Sequence, residues 1–455
     1  MKKFFTTVLM LAICLYAVAG NSRNVVVRGL KSGAADSNSA LIQKEIDRIS
    51  SLGGGTVNIP EGDYLTGPIE LKSDVCLNIP MGATLRGVAD STAYRKAHVL
   101  IGGRKTGFSG LIYASGQKNI SITGLGTLEG QGDDPAFDIS KTLADPGNRP
   151  MLVFLYNCQN INVRDITLHN SAHWTQLYLR CDEVRISGIK VYAHANFNND
   201  GIDIDSRNVV VTNCIIDSDD DAICLKSHYS DFPVENVTIS NCIAASNCNA
   251  IKFGTASYGG FRNIVISDIA IRRASVDRLR HWTKVVPYLT SDITNLAGIA
   301  IETVDGGQSD GITVSNITMT DVQTPIFVRL GDRKRRPDGS MGYLRNVNIN
   351  SVNAISESQV TCSVTGVPGN YLENVNISDV NISCPGGATD EMIPASVPEL
   401  EKNYPEARMF GPILPSYGFY FRHAKNVTLR NVVVTPRKDD ARPLYLQEDC
   451  IDLKL

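Results

Sequence analysis

The sequence predicts an all-β chain that folds as a right-handed parallel β-helix with a short N-terminal capping helix. Three observations predict this fold. A short pattern that begins with Asn recurs along the chain, its apolar positions are mostly Val and Ile, and successive copies mostly start 23 to 28 residues apart. β-Branched residues favour strands, and a fixed period of this length is typical of a solenoid, whose repeats stack on one another.

The repeated unit is Asn-apolar-x-apolar-x-x-apolar-x-apolar. Its copies start at Asn119, Asn160, Asn208, Asn236, Asn263, Asn346, Asn374 and Asn426, with variants at Glu183 and Gly311. Each copy alternates with period two, breaks for two residues and alternates again, which predicts two short strands that meet at a bend. Leu is not the repeated residue and no helix-length segment separates the copies, so a parallel β-helix is favoured over a leucine-rich repeat. About ten coils at ~4.8 Å per strand would form a rod roughly 50 Å long.

An amphipathic helix is predicted over residues 37–52. Ile42, Ile46 and Ile49 are four and three residues apart, which places them on one face of a helix. Asp36 or Ser37 is the expected N-cap and the glycines of 53–55 the expected stop. Because a solenoid needs its apolar end covered, we expect this helix to cap the first coil.

The first 19 residues have the pattern of a secretory signal peptide. Lys2 and Lys3 precede an apolar run, which ends in the small-x-small sequence Ala17-Val18-Ala19. The sequence therefore predicts export and cleavage, to the periplasm or outside the cell. It has no second hydrophobic run long enough for a membrane span. The rest, residues 24–455, has no linker and is expected to form a single domain.

Two segments interrupt the repeat. Residues 274–296 and 385–418 are too long for simple turns. Long loops on a rigid scaffold commonly build binding clefts. We therefore expect these segments to shape a cleft, and whether they block one end of it decides between attack inside a polymer and attack at its ends.

Composition excludes several classes of protein. The formal net charge of −3 at pH 7 provides no overall basic field for nucleic acid, and 43% hydrophobic residues exclude a disordered chain. The ten cysteines beyond the signal segment are even in number, which permits disulfides, but several lie in apolar strand patterns where a free Cys packs as a small hydrophobe. No pair has CxxC spacing. We expect a monomer without metal or other cofactor.

Two acidic runs are the strongest candidates for chemistry. One is Asn198-Asn199-Asp200-Gly201-Ile202-Asp203, and the other begins at Asp217 and ends at Lys226. Asp200 and Asp221 are 21 residues apart, close to one coil, so stacking would place their carboxylates side by side. Neighbouring carboxylates raise one another's pKa, and a protonated and an ionised carboxyl together meet the needs of glycosidic hydrolysis. Solvated turns and a calcium site are the alternative uses of such runs.

At these residues the chain resembles glycoside hydrolase family 28, the polygalacturonases and related pectin hydrolases. The family motifs Asn-Thr-Asp-Gly-x-Asp and Gln-Asp-Asp-Cys-Ile-Ala correspond to residues 198–203 and 219–224. The resemblance extends to residues 53–64 and 171–175. It implies a pectin-lyase-like solenoid, Asp220 as general acid, and Asp200 and Asp221 as the pair that activates water. It also implies inversion at the anomeric carbon and a pectic polysaccharide as the partner.

The sequence departs from the family at the residues that bind substrate. Asn249 stands where polygalacturonases have the His of Gly-His-Gly, and Ala300-Ile301-Glu302 stands where they have Arg-Ile-Lys. The Leu-Lys-Ser around Lys226 resembles the rhamnogalacturonan hydrolases of the same family. Lys226 and Lys252 are therefore candidates to bind a uronate carboxylate, on a homogalacturonan or a rhamnogalacturonan backbone. Further candidates for the sugar cleft are His228, Tyr258, Trp282 and Arg329.

Two other functions fit the same fold. A pectate-lyase-like enzyme would use the Asp cluster to hold calcium and would cleave by elimination. A non-catalytic carbohydrate-binding or adhesin-like β-helix would bind polysaccharide without creating new reducing ends. One solenoid hosts many functions, so the residues of the site decide among them.

Overall fold

The structure, a computed structural model, describes residues 23–101, 104–138, 148–276, 294–336 and 338–455. In these ranges the chain winds as a parallel β-helix, as predicted, and each full coil contributes to three parallel sheets. We number the sheets by the order in which a coil visits them. The site described below lies on sheet 1.

Sheet 1 contains β4 (Ile69–Glu70), β9 (Gly110–Ser115), β12 (Met151–Tyr156), β19 (Ile223–Ser227), β21 (Asn249–Ser257), β23 (Ala297–Thr303), β25 (Thr324–Leu330), β27 (Cys362–Thr365), β29 (Phe419–Arg422) and β31 (Tyr445–Glu448). Two long strands run from sheet 1 into sheet 2, namely β15 (Gln176–Ser187) and β17 (Ile202–Thr212). Sheet 2 also has β1 (Asn24–Val26), β2 (Gly55–Asn58), β5 (Val75–Asn78), β10 (Lys118–Thr123), β13 (Gln159–Arg164) and β32 (Ile451–Lys454).

Sheet 3 contains β3 (Gly62–Thr66), β6 (Ala83–Gly87), β11 (Thr127–Glu129), β14 (Thr167–His169), β16 (Lys190–Ala193) and β18 (Ile215–Ser218). Six strands bend from sheet 2 into sheet 3: β20 (Val234–Ser246), β22 (Phe261–Arg273), β24 (Gln308–Val322), β26 (Tyr343–Ser356), β28 (Leu372–Cys384) and β30 (Ala424–Pro436). Outside the coils, β7 (Ala97–Ile101) and β8 (Arg104–Phe108) form an antiparallel hairpin. Single 3₁₀ turns span Ser91–Ala93, Pro135–Phe137 and Asp390–Met392.

The repeated Asn marks the corner between sheets 1 and 2. Asn208 and Asn236 have φ of 54° and 58°, in the left-handed region that Asn tolerates better than most residues. Their side chains also bond along the rod, because Asn236 Nδ2 donates to Asn208 Oδ1 at 3.0 Å and Asn263 Nδ2 donates to Asn236 Oδ1 at 2.8 Å. The predicted bend within each repeat is the second corner, where Asn241 has φ of 55°.

The rod is longer than predicted. In the described residues one register column of sheet 2 joins fourteen strands, from Asn24 in β1 to Lys454 in β32. At ~4.8 Å per step this column is about 60 Å long. The prediction of about ten coils was low because the first coils, before Asn119, pair in the same ladder without the Asn-led pattern.

The helix α1 (Ala35–Ser51) covers the N-terminal end of the core, as predicted. Ile42, Ile46 and Ile49 are fully buried in the cluster that continues through the interior of the coils. The predicted N-cap was wrong, since the helix begins at Ala35. Asn38 explains the shift, because its side chain bonds to Lys31 on the preceding segment at 2.9 and 2.7 Å and to Leu65 of β3 at 2.8 Å.

The ten cysteines of the described residues are all free. Eight of them are buried, which agrees with the interpretation that they pack as small hydrophobes. In the described part of the chain, no helix is both long and apolar enough to cross a membrane.

Candidate active site

The two acidic runs lie in the turns that connect sheet 3 to sheet 1. Asn198 to Asp200 precede β17, and Asp219 to Asp221 precede β19 on the next coil. The turns stack through backbone bonds, because Gly201 N donates to Asp221 O at 2.9 Å. The structure therefore brings Asp200 and Asp221 to the same corner of adjacent coils.

The position and surroundings of Asp220 favour the protonated form of its carboxyl group, as a general acid requires. Its Oδ1 accepts a hydrogen bond from the Asp221 amide at 2.9 Å, and its Oδ2 lies 3.4 Å from Asn198 Nδ2. The residue is 9% exposed. Burial, together with the nearby carboxylates of Asp200 and Asp221, raises the pKa of Asp220 well above its ordinary value. The Asp220 carboxyl is therefore held protonated at a pH where an exposed Asp is ionised.

Lys226 holds the carboxylates beneath this acid. Its Nζ lies 2.9 Å from Asp200 Oδ2 and 3.1 Å from Asp203 Oδ1, and 4.7 Å from the centre of the Trp174 ring. Burial raises the pKa of Asp200, and the Lys226 ammonium opposes that rise. The sequence predicts that Lys226 binds a uronate carboxylate. In the structure its ammonium instead forms ion pairs with two carboxylates of the protein, those of Asp200 and Asp203.

Asn249 binds Asp221 from the following coil. Its side-chain Nδ2 donates to Asp221 Oδ1 at 2.6 Å, and its backbone N donates to the same oxygen at 3.2 Å. The buried Asn249 Oδ1 has no hydrogen-bond partner within the described residues. At the position of the family His, Asn249 thus orients one carboxylate and leaves one acceptor at the cavity.

Lys252 forms a buried ion pair with Glu302. The two side chains are 1% and 0% exposed. Burial raises the pKa of Glu302 to about 7, against the opposing effect of Lys252. Glu302 Oε2 has no hydrogen-bond partner in the described part of the chain. The Lys252 ammonium on β21 is therefore paired with the Glu302 side chain on the neighbouring strand β23.

A cavity of about 480 Å³ opens onto these residues. Its lining is Phe197, Asn198, Asp220, Cys248, Asn249, Lys252, Leu296, Asn403, Tyr404, Glu406 and Met409. This volume is typical of small-ligand sites. The cavity is thus walled on one side by residues of four successive coils and on the other by the segment 385–418.

The remaining predicted residues are dispersed. His228 lies beside the site, where its Nδ1 is 2.8 Å from the buried Asp205 Oδ2 and its ring centre is 6.3 Å from that of Trp174. Tyr258 is half-buried outside the cavity lining. Arg329 is buried, and it bonds to Glu399 O at 3.0 Å rather than facing the cavity. Trp282 lies outside the described residues.

Several residues of the site were missed by sequence reasoning. Arg149 Nη2 donates to Asn198 Oδ1 at 3.1 Å and so holds the turn before Asp200. The sequence indicates Asp203 only as part of a motif, although in the structure it shares the Lys226 ammonium with Asp200. Tyr404 and Glu406 reach the cavity from a loop about 200 residues away in sequence. The motif could have indicated Asp203, but no local signal indicated the others.

A calcium site is disfavoured by the charges present. Within the described residues two groups have ligand atoms within 4.8 Å of one another, Asp200 with Asp203 and Cys224, and Asp220 with Asp221 and Cys248. The first group already binds the Lys226 ammonium. In the second, Asp220 is held protonated and Asp221 is bound by Asn249. Calcium prefers six to eight oxygen ligands, which neither group offers.

Comparison with known proteins agrees with this geometry. The sequence profile of Glycosyl hydrolases family 28 matches residues 50–278, half of the chain, and this range includes both acidic runs. The chain is 23% identical over 419 residues to an exo-poly-alpha-D-galacturonosidase of Dickeya chrysanthemi, covering 75% of this chain and 69% of the relative. It is 27% identical over 316 residues to an endo-polygalacturonase of Pectobacterium carotovorum subsp. carotovorum, covering 65% and 72%.

A solved structure shares the fold over nearly the full length. A family 28 exopolygalacturonase of Yersinia enterocolitica has a TM-score of 0.67 at 18% identity, covering 95% of this chain and 78% of the other. Such low identity shows the fold alone, while the profile match over both acidic runs shows the family. The chain therefore belongs to glycoside hydrolase family 28 and is a glycoside hydrolase.

Proposed function

We propose that the protein is an exported, inverting hydrolase of pectic polysaccharide, of the polygalacturonase type. The observation that carries the proposal is the buried Asp220 carboxyl, which lies at a sugar-sized cavity beside Asp200 and Asp221 and whose pKa is raised well above its ordinary value. Glycosidic hydrolysis with inversion needs one acid at the leaving oxygen and one carboxylate that activates water. The curated relatives named as galacturonan-cleaving enzymes support the substrate class.

Each carboxyl has a separate role in the proposed reaction. Asp220 donates its proton to the glycosidic oxygen as the bond to the anomeric carbon breaks. Asp200 and Asp221 position a water on the opposite face of the ring and accept its proton as the new bond forms. The Lys226 ammonium opposes the rise in the pKa of Asp200, and Asn249 orients Asp221. The chemistry needs no metal, which separates it from the calcium-dependent elimination.

Charge at the cavity favours rhamnogalacturonan over homogalacturonan. Lys252 is paired with Glu302, and the Arg of the family motif is replaced by Ala300, which is buried beneath the segment 385–418. The two-cation subsite for a uronate is therefore lost next to Lys252. A backbone in which a neutral sugar alternates with a uronic acid would place the neutral sugar there without an unpaired carboxylate.

The decisive experiment measures reducing ends released from homogalacturonan and from rhamnogalacturonan in the presence of EDTA. The mature protein should cleave one polymer without forming unsaturated products, and nuclear magnetic resonance should show inverted anomers first. Unsaturated products and loss of activity with EDTA would instead identify a lyase. Binding without new reducing ends would identify a non-catalytic protein.

Export is tested separately. The segment that precedes residue 20 has the pattern of a signal peptide, and cleavage there would leave a chain that begins shortly before β1. Fractionation of the producing cells, with N-terminal sequencing of the recovered protein, should find a shortened chain in the periplasm or medium. Recovery of the full-length chain from the cytosol would contradict this part of the proposal.

A further inference from the structure

We propose that this hydrolase attacks the ends of its polysaccharide, because the cavity that holds Asp220 is closed along the rod on both sides. The inference rests on the proposed function and specifies its mode of action. An enzyme that cuts inside a polymer needs an open groove through which the chain passes in both directions. The described residues instead show a short polar stretch of sheet 1 between two covered apolar surfaces. We call this stretch the window; its side chains are buried, and Lys252 among them lines the cavity.

The window is visible in one register column on the outer face of sheet 1. Leu177 of β15 pairs with Asp203, Asp203 with Cys224, Cys224 with Lys252, and Lys252 with Ala300. Outside the three central positions the column is apolar, with Phe154 before Leu177 and Phe327 after Ala300. Four strand spacings separate Leu177 from Ala300, or about 19 Å.

The hairpin of β7 and β8 covers the N-terminal side of the window. Val99 and Phe108 of the hairpin are buried against Phe154 and Leu177. The Phe108 ring lies 5.6 Å from that of Phe154 and 5.6 Å from that of Trp174, centre to centre. Trp174 in turn lies over Lys226. In the described residues the apolar surface of Phe154 and Leu177, which precedes Asp203 on sheet 1, is therefore covered.

The segment 385–418 covers the C-terminal side. Five of its apolar residues pack on Ala300, Phe327 and Tyr420 of sheet 1, namely Val397, Ala407, Phe410, Leu414 and the partly buried Met409. Ala300 and Phe327 are completely buried as a result. The same segment supplies Asn403, Tyr404 and Glu406 to the wall of the cavity.

Three buried arginines hold this segment in place. Arg329 of β25 bonds to Glu399 O at 3.0 Å, and Arg442 bonds to Leu414 O at 3.0 Å and Ser416 O at 3.2 Å. Arg408, within the segment, reaches inward to Gln323 Oε1 at 2.5 Å. All three are at most 3% exposed. Such anchoring indicates a fixed wall rather than a lid that opens for each polymer.

The test compares wild-type product patterns with the loss of viscosity on the polymer that the enzyme cleaves. Attack at chain ends predicts short products of one uniform length from the earliest time points, while viscosity stays high. It also predicts that chemical modification of one terminus of a labelled oligosaccharide stops cleavage. A ladder of intermediate lengths with an early fall in viscosity would overturn the inference and leave hydrolysis intact. Absence of cleavage on every pectic polymer would overturn the proposed function itself.

A variant tests the wall directly. Arg408→Ala removes an anchor of the segment 385–418 without touching the carboxyls, and it should increase the share of internal cuts. Arg430→Ala is the control, because Arg430 lies on the surface of β30 in an ion pair with Asp379, and it should keep the wild-type pattern. If Arg408→Ala does not fold, Tyr404→Ala at the 62% exposed rim replaces it. A folded variant with unchanged products would show that this segment is not the wall.

Discussion

Four carboxyls and one ammonium share the candidate catalytic corner, and burial raises the pKa of three of these carboxyls, Asp200, Asp203 and Asp220. Asp220 has two carboxylates nearby and no cation within bonding distance, so burial and repulsion raise its pKa well above the ordinary value. Asp200 is as deeply buried but is in contact with Lys226. The Lys226 ammonium opposes the rise in the pKa of Asp200 and of Asp203, although burial still raises the pKa of both above the ordinary value.

Asp220→Asn tests the acid. The amide keeps the shape of the side chain but cannot donate a proton to the leaving oxygen. We expect kcat to fall about 10²- to 10⁴-fold with a small change in KM, measured as reducing ends released. Asp219→Asn is the matched control, because Asp219 bonds to Asn247 Nδ2 at 2.9 Å and lies outside the cavity lining. An equal loss in both variants would contradict the assignment of Asp220.

Lys226→Met tests the base through the pH profile of kcat/KM. Removing the ammonium removes the interaction that opposes the rise in the pKa of Asp200, so that pKa rises further. The carboxyl then stays protonated to higher pH, and the acidic limb of the profile should move upward by about 1 to 3 pH units. Lys226→Arg keeps the charge and should leave the limb near its wild-type position. An unmoved limb in Lys226→Met would exclude Asp200 as the titrating base.

The repeated Asn residues stabilise the corners between strands. Each corner turns the chain through a left-handed backbone conformation, and each Asn side chain bonds to the same position on a neighbouring coil. The corner at Asn236 shows both effects, with φ of 58° and bonds to Asn208 and Asn263. The recurrence of Asn therefore has a backbone reason and a side-chain reason.

Asn236→Ala and Asn236→Gly separate the two reasons. Alanine loses the side-chain bonds and is strained at positive φ, which should lower the free energy of unfolding by about 1 to 2 kcal/mol. Glycine loses the same bonds without that strain and should cost less. Urea denaturation followed by circular dichroism measures both midpoints. A glycine variant less stable than the alanine variant would contradict the backbone reason, because both variants lose the same side-chain bonds.

Stacking makes the molecule nearly one-dimensional, since each coil contacts mainly the coils before and after it. Local damage is therefore expected to stay local. The helix α1 closes one end of the core with three fully buried isoleucines. The active site is many coils away from that end, so stability at the cap and activity at the corner of sheet 1 should be separable.

Ile46→Ala tests this separation. The lost side chain leaves a cavity under α1, which should cost about 2 to 5 kcal/mol locally. Amide hydrogen exchange should accelerate in α1, β2 and β5 and remain unchanged in β26 and β28. Lys44→Ala, on the exposed side of the same helix, is the control and should match the wild type. Faster exchange along the whole rod would contradict one-dimensional coupling.

Local sequence determined the coils, their bends and the catalytic corner. Alternation of apolar residues sets which side of each strand is buried, and Asn tolerates the turn that follows. The buried face and the corner can therefore each be predicted from a few neighbouring residues. The one-coil spacing of Asp200 and Asp221 was enough to predict that they meet. The capping helix could also be predicted from Ile42, Ile46 and Ile49, although it begins at Ala35, before the predicted N-cap.

Long-range packing decided what the corner can bind. The pairing of Lys226 with Asp200 and Asp203, and of Lys252 with Glu302, depends on which side chains face each other across coils. The wall formed by the segment 385–418 depends on apolar contacts with Ala300 and Phe327 and on three buried arginines. The packing position of a loop cannot be predicted from a periodic sequence pattern, because that position is set by the surface that the loop covers. The candidate catalytic groups could thus be brought together from sequence, whereas the shape of the cavity beside them could not.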